Sequence, residues 1–275
     1  MEKLRVYYYD LMVWSVFAYI LSVLFLSFLF ALQTGIFQMI LGINFELKPF
    51  GIVYHSYTVG KWTEPKILVV FGLGTAIYFL FGRLVLMFMR FLTPGKMFYR
   101  LLMVWVAFLA VHMLPAGMVS GVFFFDNFGI AYKWLFSEFW IRVFLALAAI
   151  IFSMFMRPFW LGVFQEITYS RELIGDAALR VEYIRWVFVI PYTAGTLILA
   201  PFTLQGDYYA WYVVLVSLGL VVYPVISQLV PDALMLPAKA DPPKEINIRV
   251  FAKMFAVILV LFILGFFGVM YRADG

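Results

Sequence analysis

Long apolar runs separated by short polar loops recur along the whole chain. A helix needs roughly 20 residues to cross about 30 Å of hydrocarbon. Runs of that order lie at about 11–33, 67–89, 101–123, 139–161, 186–204, 209–230 and 250–270. They predict an all-α membrane protein, a polytopic bundle of about seven transmembrane helices in one integral membrane domain over residues 1–275. The first apolar stretch, Leu11 to Ile43, would reach about 50 Å as one helix at 1.5 Å per residue. Strong tilt, or ends lying in the interface, would accommodate it. Trp14 and Tyr19 are candidates for its first boundary.

The connections carry their own patterns. In 44–66, Pro49 and Gly51 separate two short β-prone pieces. An interfacial β-hairpin between helices 1 and 2, or a set of interface-anchoring aromatics, fits this loop. Between Gln165 and Arg185, Ile167, Ile174, Val181 and Ile184 recur at near-helical spacing, and Asp176 precedes Arg180 by four. This reads as an amphipathic juxtamembrane helix. Four prolines in 231–248 read as an extended linker. Asp126-Asn127-Phe128-Gly129 reads as a turn, and no internal repeat is visible.

Composition supports lipid as the main solvent. Hydrophobic residues make up 65% of the chain and charged residues 13%, with a mean hydropathy of +0.99; soluble domains are nearer half and a quarter. The net charge of +5 resides in short loops beside apolar runs, which points to topology and lipid headgroups. No separate basic domain exists to bind nucleic acid. Eleven Lys and Arg lie at the N-terminus and after spans 2, 4 and 6, against five on the opposite side. The expected location is a bacterial-type inner membrane, with the N-terminus cytoplasmic and the C-terminus outside. Lys3 and Arg5 precede a run too long for a signal peptide, so the first span is expected to be retained. Trp62, Trp134, Trp140, Trp160, Trp186 and Trp211 fall near expected span ends, as an aromatic belt would place them.

Candidate chemistry is sparse. All fifteen carboxylates lie outside the expected spans, which argues against ion-coupled transport and aspartyl chemistry. With no cysteine, disulfides and thiol chemistry are excluded. His112 lies mid-span, where its imidazole either bonds a neighbouring helix or backbone carbonyl or serves as a ligand or gate. His55 is the other histidine, so neither a zinc site nor any other cofactor is expected. Pro115 favours a kink, and Gly117 and Gly121 permit close helix approach. Arg83 either snorkels or makes a polar contact inside the bundle. The candidate binding or kink site is therefore His112, Pro115, Gly117, Ser120, Gly121, Gln33 and Arg83, with no catalytic residue assigned.

Two stretches carry a resemblance. Leu32-Gln33-Thr34-Gly35-Ile36 is followed by Leu41-Gly42-Ile43 and Phe50-Gly51-Ile52, and His112-Met113-Leu114-Pro115 by Ser120-Gly121. Together they resemble a degenerate form of the intramembrane site-2 proteases over about the first 130 residues. That family carries His-Glu-x-x-His on one helix, then a β-hairpin, then a motif like Asn-x-x-Pro-x-x-x-x-Asp-Gly. The resemblance would put Leu32 and Ile36 at the zinc-binding histidines, Gln33 at the general base and Ser120 at the third ligand. It thus implies a scaffold without a metal-activated water. The charge count also places the hairpin outside, whereas an active member's site is expected nearer the cytosol. The expected function is a non-catalytic binding, regulatory or assembly component whose partners are membrane lipids and other membrane proteins. A channel or facilitator for a neutral or lipid-like solute is the alternative. An interfacial lipid-modifying enzyme using Asp126 and Glu138 is a third reading.

Overall fold

The computed structural model describes residues 2–48, 51–54, 62–89, 97–123, 127–165, 167, 177–203 and 271–272. The expected spans at 209–230 and 250–270, the 231–248 linker, His55 and Asp126 lie outside the described residues. About 91% of the described region is helical, so the all-α class holds there. Five helices are long and apolar enough to cross a membrane: Tyr9–Ile40, Glu64–Met89, Met97–Phe123, Phe139–Gln165 and Val181–Ala200. They coincide with the first five expected spans, with shifted limits, and are compatible with an integral membrane protein.

Helix α1, Glu2–Ile40, is a single helix of 39 residues, about 58 Å long. Trp14 and Tyr19 are buried within it rather than marking its edge. Its end is built by a Schellman cap. Gly42 takes φ 67°, a conformation open to glycine without a Cβ penalty. Gly42 N then donates to Met39 O at 3.2 Å and Ile43 N to Gln38 O at 2.9 Å, meeting carbonyls the helix leaves open. The Lys66 ammonium adds a bond to Leu41 O at 3.1 Å, a cation at the negative end of the helix dipole.

Strand β1, Phe45–Lys48, pairs antiparallel with β2, Gly51–Tyr54, in the register Phe45↔Tyr54 to Lys48↔Gly51. A short β3, Tyr271–Arg272, pairs with the other edge of β1. Helix α2, Glu64–Met89, starts after extended Thr63 with Pro65 in its first turn, where a missing N–H is harmless. A π-helical turn occupies Leu68–Leu73. Beyond it Gly74, Tyr78 and Gly82, four residues apart, form one buried stripe. Tyr78 meets Phe30 of α1, ring centroids 5.9 Å apart. A Cβ on Gly82 would lie 3.0 Å from Ala107 O and 2.9 Å from Val111, so α2 approaches the next helix nearly to backbone contact.

That next helix, α3 (Met97–Phe123), continues through Pro115 and has the most buried window of the five spans, 67%. Its central place makes it the axis of the bundle, with α1, α2 and the following helices packed around it. Helix α4, Asn127–Leu135, takes in residues 127–129 of the expected turn. The turn-like residues are overridden by packing: Tyr132 and Ala131 are wholly buried, and Tyr132 seats on Gly121, where an added Cβ would lie 2.8 Å from its ring. The Tyr132 hydroxyl also donates to Arg142 O at 2.9 Å. Burial pushes this phenol up to about 12, with the Arg142 charge acting in the opposite direction.

Helix α5, Phe139–Phe155, turns its small residues Ala146, Ala149 and Ser153 inward, while Trp140, Phe144 and Phe155 are exposed. The chain breaks at Met156 and continues as α6, Arg157–Gln165; Pro158, two residues on, has no N–H to carry the ladder across. Helix α7 runs from Ala177 through a π-helical turn, Arg185–Val189, to Thr203. It begins earlier than the expected fifth span, which brings Glu182 into the first turn of the membrane-length segment. Pro191 does not interrupt it: the helix runs on from the π turn through Ile190–Thr203.

Candidate functional site

Two polar regions lie inside this apolar bundle. The first surrounds Trp105 on α3, where hydrogen bonds link Ser15, Tyr19, Trp105 and Thr196, while Trp160 Nε1 at its edge has no partner. Pro191 offers no N–H to the carbonyl four residues back, that of Val187. Ser15 of α1 fills the gap, donating from Oγ to Val187 O at 2.5 Å. With its proton so used, Ser15 accepts from Trp105 Nε1 at 2.8 Å. Thr196 donates to Tyr192 O at 2.7 Å, so Tyr19, 2.7 Å away, donates to Thr196 Oγ1. Around these bonds Trp105 stacks on Phe188, centroids 5.2 Å apart and planes at 6°, and meets Tyr19 and Phe164 edge-on. Such rings add dispersion and quadrupole attraction to their area burial. α1, α3, α6 and α7 are thereby locked together.

His112 lies one turn along α3 from Phe108, at the edge of this cluster. Its Nδ1 is 2.7 Å from Phe108 O; a carbonyl only accepts, so Nδ1 carries the hydrogen. The imidazole lies 4.3 Å from the Phe108 ring and 5.7 Å from that of Trp160. Trp160, expected in an interfacial belt, is instead 3% exposed. Trp160 packs against the rings of Phe108 and His112 on α3 rather than reaching the edge.

The other sequence-predicted positions do not converge with His112. Pro115 and Gly117 are buried, and the Ser120 hydroxyl donates to Gly117 O within the same helix at 3.1 Å. Gly121 faces α4. Arg83 is exposed on α2. Gln33 belongs to α1, where its Nε2 lies over Gly74 at 2.6 Å from where a Cβ would stand. Leu32 and Ile36, at the positions that the protease resemblance assigns to metal ligands, are 36% and 46% exposed. Among the described residues no group of three His, Cys, Asp or Glu could hold a metal ion.

The second polar region is the last two turns of α1. Thr34 and Gln38 are wholly buried, and being four residues apart they share a helix face. Gln33 Nε2, Thr34 Oγ1, Gln38 Oε1 and Gln38 Nε2 have no hydrogen-bond partner. A buried polar group left unmet costs about 1–3 kcal/mol. Thr34 and Gln38 were visible in the sequence as polar residues in an apolar run; what the sequence lacked was their inward direction. Trp105 and Ser15 carried no signal and Tyr19 pointed to an interface instead, because aromatics and serines occur on lipid-facing and protein-facing surfaces alike.

Comparison with protein-family models, curated proteins and solved structures found no match.

Proposed function

We propose that this chain is a non-catalytic binding or assembly component of a membrane. The reading includes seven spans in a bacterial-type inner membrane, a cytoplasmic N-terminus and a β1–β2 hairpin at the interface. The observation that carries it is the contrast between Leu32 and Ile36, which face outward, and His112, whose donor is already taken by Phe108 O. The side chains at the protease-like positions offer no convergent ligands, so a metal-activated water has no seat. What α3 and its aromatic neighbours supply is a firm scaffold that holds α1 at Ser15 and Tyr19. Elemental analysis of the purified full chain tests this reading. Substoichiometric zinc that washes out is expected; about one tightly held zinc per chain would sink the non-catalytic assignment.

A further inference from the structure

Helix α1 is packed on one side and open on the other. Ser15 bonds Val187 of α7, and Tyr19 meets Trp105 of α3 and seats against Gly195 of α7. Phe30 meets Tyr78 of α2. Three helices thus fill the sector that carries Ser15, Tyr19, Leu26 and Phe30. Across the helix axis Phe25, Leu32, Ile36 and Ile40 are exposed. Steps of seven, four and four keep these side chains in one apolar stripe. From residue 25 to residue 40 the stripe runs about 22 Å, most of the hydrocarbon depth. The described helices leave it open.

What comes to lie beside it follows from the sheet. Both strands of the hairpin rest against α1, and Phe45 at the start of β1 is buried. β3 pairs with the other edge of β1, Glu46 opposite Arg272 and Leu47 opposite Tyr271, and paired strands lie roughly 5 Å apart. The residue before β3 is Met270, the last of the apolar run 250–270. That run is therefore tied, at its end, to the sheet that rests on α1. As a helix it would be about 31 Å long, the depth of a bilayer. Lys253 is its one charged residue, and an apolar surface all round suits a helix with protein or lipid on every side. We propose that Phe25, Leu32, Ile36 and Ile40 form the docking face for residues 250–270 of the same chain, which close the bundle beside α1. This rests on the seven-span reading given above and names the neighbour of the seventh span. The tether through β3 makes the encounter intramolecular, at an effective concentration on the order of millimolar, and this favours the chain's own segment over a second copy.

The chain has no cysteine, so paired cysteines report the contact without background. In the full chain, in membranes, Ile36→Cys is combined in turn with one cysteine at each position from Phe262 to Gly268. Leu32→Cys is combined likewise with each position from Ile258 to Leu264. Two helices that end at the same sheet keep these pairs at similar depth, and a disulfide forms only where the Cα atoms come within about 7 Å. After mild oxidation the expected result is a mobility shift of the monomer, at positions three or four apart. It should be absent when Phe144→Cys, on the exposed face of α5, replaces the α1 cysteine. Unlinked chains in both series would overturn the proposal and leave the stripe to lipid. Linked dimers without linked monomers would overturn it in favour of a second copy, and yields equal to those of the Phe144→Cys pairs would overturn it as random collision. The two series are independent, so misfolding of one leaves the other to decide. Labelling of Ala273→Cys with an impermeant maleimide separates the failures. Reaction from the cytoplasmic face would defeat the seven-span topology itself, whereas reaction from outside with no linked monomer would defeat the docking alone.

Discussion

The core around Trp105 and the last turns of α1 are both polar islands in an apolar bundle, and they are built in opposite ways. At Trp105, Ser15 answers the carbonyl of Val187 and accepts the indole N–H, while Tyr19 and Thr196 satisfy one another and Tyr192 O. At Gln33, Thr34 and Gln38, four buried atoms find nothing. A satisfied network in low dielectric rigidifies and specifies packing, whereas an unsatisfied one is a standing cost. The Trp105 region holds four helices in register, and the α1 end leaves four buried polar atoms unmet.

The largest effect expected from breaking this contrast is at the satisfied island. Trp105→Ala removes a wholly buried indole and strips Ser15 of its donor, so a loss of about 3–5 kcal/mol is expected in reversible unfolding from mixed micelles. A value below 1 kcal/mol would mean that this cluster does not hold the bundle together. Next, Gly121→Ala would drive a methyl into Tyr132 and the Gly129 backbone. The expected cost is about 1–3 kcal/mol, with loosening of α4 visible as faster amide exchange over 127–135; unchanged exchange would count against the α3–α4 seat. The finest comparison pairs two threonines. Thr75→Val, which deletes the bond to Phe71 O, is expected to lose about 0.6 kcal/mol. Thr34→Val should be neutral or stabilising, and equal losses at both would erase the distinction.

The pattern of apolar runs located five spans, with limits shifted by up to seven residues, because length against bilayer thickness is a coarse constraint that survives local irregularity. It could not say which side of a helix faces inward. In a soluble helix the polar face marks the outside, but lipid and protein interior are both apolar, so α1 and α3 read alike all round. Trp160 shows the consequence, with its position near a span end suggesting the interface and its packing against Phe108 and His112 placing it in the core. Asn127 shows another: a turn-like tetrapeptide became the start of a helix because Tyr132 had a seat on Gly121. At the site, Gln33 was legible as a polar residue at depth, but its neighbour over Gly74 was not. Gln38 is unmet where His112 is bonded, and only side-chain accounting distinguishes a paired buried group from an unpaired one.

That distinction has a direct measurement in the stability of Gln38→Leu. Leucine keeps much of the glutamine's volume and removes both unmet amide ends. If the buried Gln38 amide is unmet in the folded protein, the substitution should stabilise it by about 1–3 kcal/mol. A loss of comparable size would show that the Gln38 amide is already satisfied within the folded protein and that the last turns of α1 are as structural as the Trp105 core.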